Sequence, residues 1–132
     1  MTTQAALTRN QTLVHDTLCR AEAPLSAYTI LDRLRDDGFR APLQVYRALD
    51  KLTEMGLVHR LESINAFVAC AGAHSHDHGM IAFAICGTCG QVEEFADPVV
   101  FDRLEGWASE NRFRAEKTAI EIRGTCAACA AS

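Results

Sequence analysis

Two cysteine pairs dominate the chemistry available to this chain. Cys86 and Cys89 flank a turn in CGTCG, and after thirty-six intervening residues the spacing returns in CAAC, Cys126 to Cys129. Two residues between cysteines let both thiolates meet one ion at about 2.3 Å, and two such turns complete the tetrahedron that zinc prefers. The gap exceeds the roughly 15–20 residues of a simple zinc ribbon. It must therefore contain structure of its own, and the site would pin the end of that structure back onto its first hairpin. A site closed by four thiolates has no position for water, so it is structural rather than catalytic. A redox dithiol pair is the alternative use of the same spacing.

A second set of ligand types surrounds residue 70. His59 and Cys70 lie eleven apart about a turn expected near Ile64 and Asn65. A turn centred between those two would set residues 59 and 70 opposite each other on one face of a hairpin, with Cβ atoms about 5 Å apart. His74, His76, Asp77 and His78 follow, and Glu93 and Glu94 stand beyond the first cysteine pair. Taken singly, these residues have plainer uses: a hydrogen-bonded strand histidine, a small buried thiol, a solvated loop. Taken together they form a mixed nitrogen, sulfur and oxygen set that suits zinc, and also iron, cobalt or nickel.

These groups need elements to hold them. LTRNQTLVHDTLCRA places Leu7, Val14 and Leu18 at near-helical spacing and is ended by Pro24. LSAYTILDRLRDDG opens on Ser26 as an N-cap, puts Ile30, Leu31 and Leu34 on one stripe and stops at Gly38. APLQVYRALDKLTEMG has Pro42 in its first turn, Val45, Leu49, Leu52 and Met55 on a buried face, and Gly56 at its end. LVHRLESINAFVAC then reads as two short strands. Three helices and a hairpin predict a winged helix-turn-helix. Its third helix carries Gln44, Arg47 and Lys51 on the exposed face, and glutamine and arginine are the side chains that pair bidentately with adenine and guanine edges in the major groove.

The polar, histidine-rich AGAHSHDHG marks a boundary near residue 71. Beyond it MIAFAIC is a buried strand, QVEEFA its return partner, and Asp97 and Pro98 cap a helix carrying Val100, Leu104 and Trp107. AEKTAIEIR then alternates as a half-buried strand. The expected organisation is α+β: residues 1–71 a winged-helix DNA-binding domain, residues 72–132 a small α/β dimerisation and metal-binding domain. Residues 1–70 carry eight Lys/Arg against eight Asp/Glu, and residues 71–132 five against nine. The formal charge of −4 thus resides in the second half and does not oppose a nucleic-acid surface in the first. No apolar run reaches the ~18 residues that span a bilayer, and the start MTTQAALTRNQ lacks the apolar core of a signal peptide. A cytoplasmic location without membrane attachment is expected, where thiols stay reduced.

VYRALDKLTEMGLVHRLES, NAFVAC, the histidine loop and CGTCGQVEEF together resemble the ferric uptake regulator family, most of all its zinc uptake regulator branch, over roughly residues 8–129. The resemblance implies a winged-helix half, an α/β dimerisation half, a structural zinc on the four cysteines and a regulatory zinc near the hinge, two ions per chain. It assigns the regulatory ligands to His59, Cys70, His78 and Glu94, with His76 as the alternative loop ligand. The family commonly has threonine where this chain has Gln44, so a different base preference is expected.

The function that follows is a homodimeric, zinc-dependent repressor of palindromic operator DNA; by resemblance, its targets are zinc-uptake genes. Arg47 and Gln44 read bases, Tyr46 packs on a base or phosphate, and Lys51 and Arg60 hold the backbone. An iron, manganese or peroxide sensor of the same family is the nearest alternative, but the soft thiolate of Cys70 favours zinc. A metallohydrolase needs an open coordination position and a general base that the sequence does not supply, so no enzymatic activity is expected. A zinc-held adaptor that binds no DNA leaves the polar face of the third helix unused.

Overall fold

The computed structural model describes residues 6–70 and 80–131. The chain divides into two compact units, Met1–Ala71 and Gly72–Ser132. His74, His76, Asp77 and His78 lie outside the described residues.

In the first unit α1 (Arg9–Arg20) starts from a reciprocal cap. Gln11 N donates to Thr8 Oγ1 at 3.1 Å, and Thr8 N donates to Gln11 Oε1 at 3.0 Å. Ser26 caps α2 (Ala27–Arg33) by accepting from Thr29 N at 3.1 Å. The sequence suggests a helix continuing to Gly38, but α2 ends at Arg33 and a 3-10 turn, Arg35–Asp37, follows. Asp36 and Asp37 would place two negative charges at the negative end of a longer helix dipole. Helix α3 (Pro42–Glu54) buries Val45, Leu49 and Leu52 almost completely, each worth about 1.5–3 kcal/mol of transfer free energy. Met55, expected on that buried face, is 41% exposed. It is the residue at which the helix ends, and Gly56, at φ 77°, turns the chain away so that Leu57 N reaches Leu52 O at 2.9 Å.

The wing is β1 (Val58–Leu61) paired antiparallel with β2 (Ala66–Ala69). Its register differs from the expected one by two residues: His59 faces Val68, Arg60 faces Phe67, and Leu57 O accepts from Cys70 N at 2.8 Å. The cause is the turn. Asn65, and not Ile64, adopts the left-handed φ of 50°, because a β-branched side chain is strained there and asparagine is not. The loop is therefore residues 62–65, one position earlier than the predicted centre. A shift of two preserves side-chain facing, so His59 and Cys70 remain on one face as diagonal neighbours. The core of this unit gathers Val14, Ile30, Val45, Leu49, Leu52 and Val58.

The second unit is a sheet of order β4-β3-β5 with one long helix. Central β3 (Met80–Cys86) pairs antiparallel with β4 (Val92–Phe95) and parallel with β5 (Thr118–Gly124). Its position between two partners explains the unbroken apolar run MIAFAIC. Helix α4 (Pro98–Glu110) is capped as the sequence suggests, Asp97 Oδ1 accepting from Val99 N at 3.0 Å and Val100 N at 3.3 Å. Val100, Leu104 and Trp107 are 42%, 41% and 57% exposed, and Val99, Phe113 and Ile122 are exposed with them. A short α5 (Ala127–Ala130) begins at Cys126. The whole is α+β, with a winged-helix arrangement in its first half.

Candidate metal centre

The parallel pairing of β3 with β5 builds the cysteine cage. Parallel strands end on the same side, so Cys86 stands opposite Gly124, and Gly87 N donates to Gly124 O at 2.8 Å. The residues leaving each strand then meet: Cys89 Sγ and Cys126 Sγ are 3.8 Å apart, and all four sulfurs lie within 4.8 Å of one another. Four 2.3 Å bonds to a tetrahedral zinc imply sulfur separations of about 3.8 Å. The donor set and its spacing fit that ion.

The thiols are also electrostatically unequal. Backbone N–H groups of Cys89, Cys126 and Thr88 point at Cys86 Sγ, each at 3.4 Å. They lower its pKa to about 5, with the Cys89 amide foremost, so a thiolate stands ready at neutral pH. Cys129 is pushed up to about 12, first by its hydrogen bond with Cys126 and then by that with Cys86. A zinc ion bound by all four sulfurs would displace the Cys129 proton, which would couple loading to proton release. Sequence spacing singles out these four cysteines, but the parallel strand pairing that brings them together has no local signal.

His59 is half-buried on β1, and a ring nitrogen of its imidazole lies within 4.8 Å of Cys70 Sγ. In the second unit, Glu94 is half-buried on β4 opposite Phe83, whereas Glu93, one position earlier, is exposed opposite Ala84. Strand alternation thus points the two neighbouring carboxylates to opposite faces of the sheet.

On α3, Arg47 and Lys51 are exposed and, with Gln44, line an open groove of ≈ 610 Å³ between α3 and the start of α1. Lys51 Nζ makes only a solvated 3.6 Å pair with Glu54, of the kind that contributes little. Tyr46 is half-buried and packs against the core. Gln44 Oε1 accepts from Arg40 N at 2.7 Å and Ala41 N at 3.0 Å. Its oxygen therefore caps α3, at a start where Ala41 has no side-chain acceptor. Sequence reading assigned Gln44 to base contact and missed this structural duty, although glutamine three residues into a helix is the signal for it. Gln44→Ala is expected to cost about 1 kcal/mol, a melting-point drop of about 4–8 °C. Gln44→Glu, which keeps the acceptor, should melt near the parent; calorimetry of the two variants is the check. Tyr28 on α2 is 62% exposed, an aromatic that the sequence reading did not single out.

Comparison with known proteins agrees with this architecture. The family model described as the ferric uptake regulator family matches residues 3–123. The chain is 40% identical over 109 residues to the zinc uptake regulation protein of Escherichia coli K12, covering 82% of this chain and 63% of that protein. It thus spans less than two thirds of the length of that relative. The crystal structure of holo XcZur is similar at a TM-score of 0.86 and 38% identity, over 98% of this chain and 90% of that one. A zinc uptake regulator complexed with zinc and DNA is similar at a TM-score of 0.89 and 35% identity, over 96% of this chain and 85% of that one. A family match across nearly the whole chain, on a winged-helix unit followed by a cysteine-caged sheet, places this chain in the ferric uptake regulator family.

Proposed function

We propose that this chain is a zinc-responsive transcriptional repressor that binds operator DNA as a homodimer in the cytoplasm. The observation that carries this reading is its likeness, over nearly its full length, to a regulator solved with both zinc and DNA. Two ions per chain fit the ligands. One sits in the Cys86, Cys89, Cys126, Cys129 cage and holds the second unit together. The other is taken by His59 and Cys70, supported by their proximity on the wing. Glu94 and a histidine at position 78 or 76 complete the second site by family resemblance. By family resemblance, that second zinc, when bound, favours the conformation that binds DNA. Coupling of this kind is typically about 1–3 kcal/mol. The chemistry is binding throughout, and no catalytic role is assigned to either zinc.

Dimerisation is supported by the apolar side chains left exposed on α4, β5 and the segment between them, Leu104, Trp107, Phe113 and Ile122 among them. Their burial against a second copy would supply the hydrophobic core that a stable interface requires. A two-fold dimer then presents two copies of α3 to two half-sites, which is why a palindromic operator is proposed. By family resemblance, the genes controlled are those of zinc uptake. Within α3, Arg47 is the base reader and Lys51 a phosphate contact, with Tyr46 beside them and Arg60 on the wing as a second phosphate contact. Gln44 offers a base only its amide nitrogen while its oxygen serves the helix start.

Electrophoretic mobility shift on the chain's own upstream promoter DNA, with free zinc buffered, tests this reading. Arg47→Ala is expected to weaken specific binding by about 1–3 kcal/mol and relax preference at one base position, whereas Lys51→Ala should weaken all sequences alike and reduce the salt slope by about one. If both variants bind as the parent does, α3 is not the reader.

A further inference from the structure

Arg60 is held in place by a neutral partner, and that distinguishes it from the paired cations of this chain. Arg20, Arg35 and Lys51 each sit against a carboxylate, Asp16, Asp32 and Glu54 respectively. Among the described residues no carboxylate pairs with Arg60. Its Nη2 instead donates to Asn65 Oδ1 at 3.1 Å, and its guanidinium carbon lies 5.9 Å from the centre of the Phe67 ring. Phe67 is its cross-strand partner and is buried, so the arginine stem lies on a rigid support. Asn65 is itself fixed, because its left-handed backbone closes the wing turn, with Asn65 N donating to Glu62 O at 3.4 Å.

We infer that Asn65 is a positioning residue that orients Arg60 toward a phosphate of bound DNA while leaving its charge uncompensated. The inference rests on the DNA-binding reading above and deepens it. An amide oxygen can accept a guanidinium N–H without neutralising the cation, whereas an aspartate at 65 would orient it and cancel much of its charge. One N–H of the fork is used on Asn65, and the remaining donors are free to meet phosphate oxygens. Ordering a long arginine side chain costs rotamer entropy at binding. Holding it beforehand on Asn65 and Phe67 moves that cost into folding, which is how preorganisation raises affinity.

A double-mutant cycle on the zinc-loaded full chain tests this, with operator affinity read by fluorescence anisotropy across a salt series. Asn65→Gly keeps the left-handed turn, since glycine adopts it freely, and removes only the acceptor. It is expected to weaken binding roughly threefold, the scale of one net hydrogen bond, with an unchanged melting temperature. Arg60→Ala should weaken binding further and reduce the salt slope by about one. The double variant should bind like Arg60→Ala alone. Asn65→Asp should weaken binding more than Asn65→Gly and flatten the salt dependence, which a purely structural role for the turn would not do. Independent, multiplying effects of Asn65→Gly and Arg60→Ala would overturn the inference, as would parent-like binding by Asn65→Asp. If Arg47→Ala weakens binding but Asn65→Gly does not, only the positioning role fails. If Arg47→Ala, Lys51→Ala and Arg60→Ala all bind like the parent, the DNA-binding reading fails with it.

Discussion

Cys126→Ser is expected to release the zinc of the cysteine cage and unfold the second unit, leaving the first unit helical but monomeric. The cage is what joins the end of β5 to the turn after β3. Around it the sheet has a modest core, with only Ala108 of α4 buried, while large apolar side chains remain exposed. A structural zinc in a small domain contributes about 10–16 kcal/mol of apparent binding free energy, comparable to or larger than the ~5–15 kcal/mol by which whole domains are stable. A serine hydroxyl is a poor replacement for a thiolate ligand. Metal analysis should find the cage ion missing, circular dichroism should lose sheet signal, and size exclusion should show loss of the dimer. A folded dimer that retains its full zinc content would refute the structural role of the cage.

The second large effect concerns the wing. Cys70→Ser and His59→Ala are each expected to leave a folded dimer with the cage zinc in place, yet remove one further zinc per chain and the zinc dependence of operator binding. Cys70 is half-buried just beyond β2 and donates its backbone N–H to Leu57 O, a bond that serine keeps. The fold therefore loses little, while the site loses its softest ligand. With coupling of about 1–3 kcal/mol, the zinc-induced gain in operator affinity is about 5–150-fold, and it should fall to near onefold in both variants. Inductively coupled plasma analysis beside anisotropy at buffered free zinc measures both quantities. Persistent zinc-dependent binding by Cys70→Ser with unchanged stoichiometry would place the sensing site elsewhere.

What sequence could show about this fold follows how local each cause is. Ser26 at the start of α2, Pro42 in the first turn of α3 and Asp97 before α4 act within four residues, and the structure places each where its chemistry demands. The wing register depended on which residue takes a positive φ. The choice between Ile64 and Asn65 was legible in principle, but it had to be combined with a loop length that the sequence does not state. Gln44 carried two compatible meanings, base reader and helix cap, and only the 2.7 Å contact with Arg40 N shows the second in use. The four cysteines that gather in the cage stand out by their spacing alone. The parallel β3–β5 pairing beneath them joins residues nearly forty apart, and no local pattern announces a partner at that distance.

That pairing imposes an order on biosynthesis. The first unit is a compact body formed within Met1–Ala71, and its elements can begin to pack as soon as that stretch leaves the ribosome. In the second, β3 and β4 can zip as a hairpin on emergence, but the other edge of β3 must wait for β5. From Phe95 to Cys129 the ribosome adds thirty-four residues, roughly 2–7 s at ordinary elongation rates of about 5–20 residues per second. During that interval the bare β3 edge, with its MIAFAIC run, is open to pairing with neighbouring nascent chains. With zinc as the proposed cage ion, a shortage of zinc would prolong the exposure, because the clasp that locks β5 against β3 would have no ion to close on. Newly made chains would then be vulnerable to aggregation and proteolysis, and their loss would relieve repression in the same direction as the emptying of the proposed regulatory site.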